Sequence, residues 1–175
     1  MRYQTLRVCH RRNPNLRWIK SATVRRSIHS ASRNHGPRSM QTTETTTEPP
    51  REKTPYELMG GAAKVREIVD RFYDIMDTDP AAAPIRAMHA RDLGPMRERL
   101  TAFLSGWLGG PPLYFQLPDR TCVVSAHRPF PIGEAERDQW MMCIRRAMEE
   151  SGVDKDLREL LDKAFLRMCE AFRNR

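Results

Sequence analysis

Residues 125–140 read Ser-Ala-His-Arg-Pro-Phe-Pro-Ile-Gly-Glu-Ala-Glu-Arg-Asp-Gln-Trp, and this stretch decides how the chain is organised. Pro129 and Pro131 each fix the backbone φ angle and remove an N–H donor, so no helix runs through them. His127 therefore ends one segment, and a new helix is predicted to begin at about residue 133. On these residues alone, His127 is either the ligand of a metal on a cofactor or a buried structural histidine.

The positive charge of the chain is concentrated at its N-terminal end. The net charge is +8, yet residues 1–43 hold ten of the 30 Lys and Arg residues and none of the 22 acidic ones. The remainder of the chain therefore carries a net charge of −2. The high pI belongs to the first segment, and we expect no nucleic-acid binding by the folded part.

The N-terminal residues 1–50 are predicted to be a disordered basic extension. They are rich in Arg, Ser, Thr and Asn and bury too little apolar surface to offset their ordering entropy. We favour an over-extended start with Met40 as the initiator; a mitochondrial transit peptide and a nucleic-acid-binding arm are the alternatives. The expected location is cytoplasmic, or mitochondrial if the segment is a transit peptide.

Residues 51–175 are predicted to form one all-α domain. Thr54-Pro-Tyr-Glu57 is a capping box that begins a short helix, and Gly60-Gly61 ends it. Apolar residues recurring at three and four then predict helices over about residues 62–77, 81–88, 95–108, 133–151 and 154–173. Residues 113–126 are predicted to be loop or a single helical turn, because the strand-like Cys122-Val-Val124 has no partner strand. No apolar run approaches the roughly 18 residues of a membrane span.

Large side chains are scattered over several segments: Phe72, Tyr73, Phe103, Trp107, Tyr114, Phe130 and Trp140. Helices that surround a flat apolar cofactor need this arrangement, although an ordinary core would contain such residues too. The chain has no Cys-x-x-Cys-His motif, so any haem would be held without thioether bonds.

Five motifs occur in the order in which one known family carries them: Leu58-Met-Gly-Gly61, Phe72-Tyr73, Phe103-Leu-Ser-Gly-Trp-Leu-Gly-Gly-Pro111, His127-Arg-Pro-Phe-Pro-Ile132 and Trp140. Over about residues 54–173 the chain resembles the truncated haemoglobins of group II. The resemblance implies a two-over-two helical sandwich around one non-covalent haem b.

The resemblance also implies a role for single residues around the iron. His127 corresponds to the proximal ligand, and an axial imidazole leaves the opposite coordination position open. The distal pocket is expected to contain Tyr73, His89, Met96, Leu100 and Trp140. Tyr73 and Trp140 carry hydrogens that a bound diatomic gas can accept, and His89 can share a hydrogen bond with the ligand or with Tyr73.

Further residues are expected to contact the haem itself: Phe72, Arg99, Phe103, Tyr114 and Phe130. Arg99 corresponds to a partner of a haem propionate. Met96 occupies the position of the distal histidine of larger globins, where an apolar side chain offers no proton and acts as a flexible gate. Ala126 departs from the family pattern, since many relatives carry a basic residue at this position. The propionate contact that such a residue would make is therefore not expected here.

The function implied is reversible binding of O2, and also of NO or CO, at ferrous iron rather than enzymatic turnover. Two or three hydrogen-bond donors would slow O2 release, so storage, sensing, NO detoxification or peroxide chemistry fits better than bulk delivery. Turnover would require an unidentified reductase, because the chain has no Rossmann glycine fingerprint. The alternative, from another class, is a small helical interaction or nucleic-acid-binding protein that uses its basic arm.

Overall fold

The computed structural model describes residues 52–175, and the predicted extension of residues 1–50 lies outside the described residues. Within the described part the chain forms seven α-helices: α1 (Pro55–Met59), α2 (Gly61–Thr78), α3 (Ala83–Ala87), α4 (Gly94–Trp107), α5 (Val123–His127), α6 (Glu134–Glu150) and α7 (Lys155–Glu170). Two short 3-10 helices, Pro80–Ala82 and Leu113–Gln116, complete the order. Residues 52–175 contain no strand, which confirms the all-α prediction.

The four long helices form the two layers of the sandwich. Helix α2 packs against both α4 and α6, and α6 packs against α7. Each long helix contributes a buried apolar stripe to one continuous core, whose largest fully buried side chains include Phe72, Met76, Leu104, Met141, Ile144, Met148, Leu161 and Phe165. The predicted apolar spacing of these helices is confirmed, because a stripe at that spacing faces one side of a helix.

The capping box at the start of α1 is present as predicted. The backbone N–H of Thr54 donates to Glu57 Oε2 at 2.8 Å, and the N–H of Glu57 donates to Thr54 Oγ1 at 3.2 Å. Gly60 ends the helix with a φ of 115°, in the left-handed region that glycine adopts without strain. The short helix therefore has a defined beginning and end despite its five residues.

The second Gly-Gly pair allows α1 to lie against the end of α4. The N–H of Tyr56 donates to the carbonyl oxygen of Leu108 at 3.0 Å, which ties the two helix ends together. A Cβ atom on Gly110 would lie 2.6 Å from the Tyr56 ring, and one on Gly109 would lie 2.9 Å from the Cβ of Thr54. Only glycine permits contacts this close.

The segment between α4 and α6 is packed much more lightly than the rest. Residues 109–133 contain no buried residue. Their large apolar side chains are exposed in several places: Leu113, Phe115, Val124 and Phe130. The prediction of loop or one turn for residues 113–126 was incomplete, since a 3-10 helix and most of α5 form there. These short helices bury no stripe, so apolar spacing gave no signal for them.

Among residues 52–175, no helix combines the length and the apolar character needed to cross a bilayer.

The close contact between α1 and the end of α4 predicts the effect of Gly110→Ala. The added methyl group would overlap the Tyr56 ring, so we expect the free energy of unfolding to fall by about 1–3 kcal/mol, measured by chemical denaturation. Gly94→Ala is the matched control, because its Cβ would meet only the flexible Asp92 side chain, at 3.1 Å. Equal losses in the two variants would contradict the overlap.

Candidate functional site

His127 is the last residue of α5, and its ring is held from within the same helix. Its Nδ1 atom lies 2.7 Å from the carbonyl oxygen of Val123. A carbonyl oxygen only accepts, so Nδ1 carries the proton in this hydrogen bond and Nε2 of the neutral ring keeps its lone pair. An imidazole oriented in this way is prepared to bind a metal through Nε2.

His89 is held by the same kind of bond in the loop after α3. Its Nδ1 lies 2.8 Å from the carbonyl oxygen of Ile85. Burial lowers the pKa of His89, and the charges of Arg86 and His127 lower it further against the opposing effect of the Ile85 bond. His89 is therefore predominantly neutral at pH 7.

Arg86 holds the loop that carries His89. Its Nε donates to Asp77 Oδ1 at 2.6 Å, while its two terminal nitrogens donate to the carbonyl oxygens of Ala90 and Arg91 at 2.9 and 3.0 Å. From α6, the side-chain oxygen of Gln139 accepts the N–H of Ile85 at 3.2 Å. No pattern in the sequence indicates these supporting residues, because their partners are mostly backbone atoms of distant or irregular segments.

The side chains of Tyr73 and Trp140 each carry a hydrogen-bond donor that has no acceptor among residues 52–175. Tyr73 is only 4% exposed, and its hydroxyl makes no hydrogen bond to any residue of the range 52–175. The indole N–H of the half-buried Trp140 likewise has no partner in that range. Phe72 is fully buried between them, with ring-centroid distances of 5.0 Å to Tyr73 and 5.2 Å to Trp140. Its predicted contact with the haem stays a prediction.

The Tyr73 ring is flanked by His89 and by Arg97. The His89 and Tyr73 centroids are 6.0 Å apart in an edge-on arrangement, and the Arg97 guanidinium lies 5.6 Å from the Tyr73 centroid. Arg97 also donates to Asp74 Oδ1 at 2.7 Å, so it ties α4 to α2. Burial raises the pKa of Tyr73, with the charge of Arg97 opposing it in part, and the hydroxyl stays a donor at physiological pH.

Helix α4 presents an apolar face beside these donors. Met96, Leu100 and Phe103 are half-buried and pack against the core. The Phe103 ring meets Tyr114 edge-on at 5.8 Å, and the Tyr114 hydroxyl donates to the carbonyl oxygen of Thr121 at 2.9 Å. The roles predicted for these four residues toward the haem remain predictions.

Arg99 forms an ion pair with Asp119 in this structure. Both side chains are partly exposed, so this pair holds Arg99 only weakly. The propionate contact predicted for Arg99 stays a prediction, and binding there would require the guanidinium to exchange or share its partner.

Two residues beyond the end of α7 also contact this site, and neither was predicted from the sequence to do so. The ring of Phe172 stacks on the ring of His127, with a centroid distance of 4.4 Å and an interplanar angle of 5°. Asn174 donates to the carbonyl oxygen of Phe130 at 2.8 Å, while the Phe130 ring itself is exposed. The apolar spacing of the last helix included Phe172, but nothing in that spacing indicated a contact with His127.

Taken together, the described residues fit a haem. His127 offers a free Nε2, and Tyr73 and Trp140 offer unpaired donors. The lightly packed segment around His127 adds exposed apolar side chains that a flat apolar group would cover. Imidazole is an axial ligand of haem iron, and hydrogen-bond donors on the opposite face control what the iron binds.

Comparison with known proteins gives the same assignment. The model of the bacterial-like globin family matches residues 54–174. The group 2 truncated hemoglobin YjbI of Bacillus subtilis is 34% identical over 107 residues, which are 61% of this chain and 78% of that protein. The similarity thus covers most of the described residues.

Solved structures agree. The cold-adapted truncated hemoglobin of the Antarctic marine bacterium Pseudoalteromonas haloplanktis superposes with a TM-score of 0.67 at 40% identity, covering 70% of this chain and 99% of that one. A truncated oxygen-avid haemoglobin from Bacillus subtilis superposes with a TM-score of 0.62 at 30% identity, covering 70% and 100%.

The chain belongs to the bacterial-like globin family, among the truncated haemoglobins of group II. It is therefore a haem protein that binds a small gaseous ligand such as O2, and a binding protein rather than primarily an enzyme. The alternative class, a helical nucleic-acid-binding protein, is not favoured.

The orientation of the His127 ring predicts the outcome of His127→Ala. Removing the imidazole removes the atom that would bind iron, so we expect hemin added to the variant to be lost on gel filtration, measured by absorbance in the Soret region. His89→Ala is the control and should retain hemin like the unmodified protein. If His127→Ala retains hemin and His89→Ala loses it, His89 would be the iron ligand instead of His127.

Proposed function

We propose that the protein holds haem b non-covalently through His127 and binds O2 reversibly, with NO and CO as further ligands. The observation that carries this proposal is the pair of unused donors on Tyr73 and Trp140. Each belongs to a buried aromatic cluster and has no partner among the described residues. Neither donor atom is sealed in the core as the unpaired Trp107 Nε1 is, so a ligand can reach both and accept from them.

When bound, the haem supplies a ferrous iron with one coordination position open to a diatomic gas. Tyr73 and Trp140 would then donate to the gas: the indole N–H can only donate, and burial keeps the phenol protonated, so that its hydroxyl has a hydrogen to donate. Hydrogen bonds to a group that carries charge contribute about 1.5–3 kcal/mol each. Two of them would slow release roughly a hundredfold or more.

The remaining distal side chains shape the space instead of supplying protons. Met96 and Leu100 are apolar and half-buried, so they limit the entry of water. Met96 is also unbranched and flexible, which suits a gate. His89 is neutral near pH 7 and stands beside Tyr73, where it can share a hydrogen bond with the Tyr73 hydroxyl or the ligand.

Slow release favours storage, sensing, NO detoxification or peroxide chemistry over bulk oxygen delivery. The oxygen-avid haemoglobin of Bacillus subtilis, which this chain resembles at 30% identity, supports tight binding. Any detoxifying turnover requires electrons from a separate reductase. We place the protein in the cytoplasm, or in mitochondria if residues 1–50 act as a transit peptide.

The role of Trp140 is tested by Trp140→Phe, which keeps the ring and removes the donor. We expect reversible O2 binding by the reduced unmodified protein, a Soret shift with CO, and O2 release at least about tenfold faster in the variant, by stopped-flow spectroscopy.

Trp107→Phe is the matched control for this experiment. Its indole N–H is also unpaired among the described residues, but the ring is buried in the core and stacked on Phe165 at 4.9 Å. O2 release should therefore be unchanged in this variant. Equal rates of O2 release in the Trp140→Phe and Trp107→Phe variants would show that Trp140 does not bind the ligand. If the unmodified protein takes up no hemin, the proposed function is wrong.

The raised pKa of Tyr73 predicts how O2 release depends on pH. Deprotonation would remove the donor and speed release, and the pKa lies above the ordinary value of 10.0. We therefore expect a constant release rate from neutral pH to about pH 10. Over this range Tyr73→Phe should release O2 about tenfold faster than the unmodified protein. A rate that rises well below pH 10 in the unmodified protein, and not in Tyr73→Phe, would contradict the burial of this hydroxyl.

A further inference from the structure

We propose that Asn174 and Phe172, which follow the end of α7, are positioning residues for the imidazole of His127. This inference rests on the proposed function, since the ring they position is taken to be the iron ligand. The two residues act on different parts of the site. Asn174 fixes the backbone that follows His127, and Phe172 fixes the plane of the His127 ring.

Asn174 binds the turn after His127 with both ends of its amide. Its Nδ2 donates to the carbonyl oxygens of Phe130 at 2.8 Å and Arg128 at 3.4 Å. Its Oδ1 accepts the N–H of Ile132 at 3.0 Å, and its own backbone N–H donates to the Ile132 carbonyl oxygen, also at 3.0 Å. One residue thus makes four hydrogen bonds to residues 128–132.

The turn depends on such outside partners because of its composition. Pro129 and Pro131 have no backbone N–H, so the segment has few donors of its own, while its carbonyl groups still require partners. Only an amide side chain combines the donors and the acceptor that this arrangement uses. Aspartate would place a carboxylate against two carbonyl oxygens.

Phe172 constrains the ring itself. The two rings are nearly parallel, at 5°, with centroids 4.4 Å apart, so rotation of the imidazole would break the stacking. The bond from Nδ1 to the Val123 carbonyl holds the same ring at its edge. Contacts on one edge and one face together define the ring plane and leave Nε2 pointing in a single direction.

Helix α5 by itself does little to fix the position of His127. Helix α5 has five residues, far below the length at which an isolated helix is stable in water. No residue of the range 109–133 is fully buried, so hydrophobic packing holds α5 only weakly. The contacts from Asn174 and Phe172 therefore add restraints on His127 that its own five-residue helix does not supply.

The test compares Asn174→Ala and Phe172→Leu with Arg175→Ala as the matched control. The Arg175 side chain makes no described contact, and its backbone N–H, which donates to the Ile132 carbonyl oxygen at 3.3 Å, is kept. We expect hemin transfer to an acceptor apoglobin to be at least about tenfold faster in the first two variants, because supporting residues of a metal ligand contribute on this scale.

Two further measurements separate positioning from general stability. The iron–histidine stretching band in the resonance Raman spectrum of the reduced, ligand-free protein should shift or broaden in both test variants and not in Arg175→Ala. In the hemin-free protein, hydrogen exchange of the Ile132 amide should be about tenfold faster in Asn174→Ala than in Arg175→Ala, as expected for the loss of one hydrogen bond.

Unchanged hemin transfer and an unchanged Raman band in both test variants would overturn this inference and leave the proposed function standing. Equal exchange of the Ile132 amide in Asn174→Ala and Arg175→Ala would overturn it without reference to haem. Failure of the unmodified protein to bind hemin would overturn the proposed function instead, and the positioning role with it.

Discussion

The hydrogen bond between Nδ1 of His127 and the carbonyl oxygen of Val123 is the interaction on which the site depends. It assigns the proton to one ring nitrogen and leaves the other as a lone-pair donor. It is also local, since both partners belong to α5. A five-residue helix can therefore orient a ligand, provided that other elements hold the helix in place.

The two sides of the site are built by different means. On the side of Tyr73 and Trp140, orientation comes from dense packing around the fully buried Phe72, so that the donors are fixed by the core. On the side of His127 no residue of the segment is buried, and orientation comes from hydrogen bonds and one stacked ring. The side that carries Tyr73 and Trp140 is rigid because it belongs to the helical sandwich. The side that carries His127 is assembled from short helices and turns.

Apolar spacing predicts an element only when that element buries a stripe, which explains what could be predicted here. Val65, Ile68, Val69 and Phe72 are all buried at helical spacing, and α2 was predicted to within one residue at each end. Helix α5 buries nothing, so its spacing carried no information. His127 was a candidate from its own stretch of sequence, and the resemblance to a family chose the ligand role for it and identified Trp140. The contacts of Asn174 and Phe172 join segments far apart in sequence, and no local pattern of residue types encodes such a pairing.

The exposed apolar side chains of the lightly packed segment have a consequence for the life of the protein in a cell. The side chains of Leu113, Phe115, Val124 and Phe130 are exposed, and accessible apolar chain of this kind is what chaperones and proteases bind. A ligand that binds only the folded state lowers the population of unfolded molecules by mass action, and so protects the protein from degradation. The abundance of this globin should therefore follow the supply of porphyrin, because protein molecules that have not bound porphyrin are degraded faster.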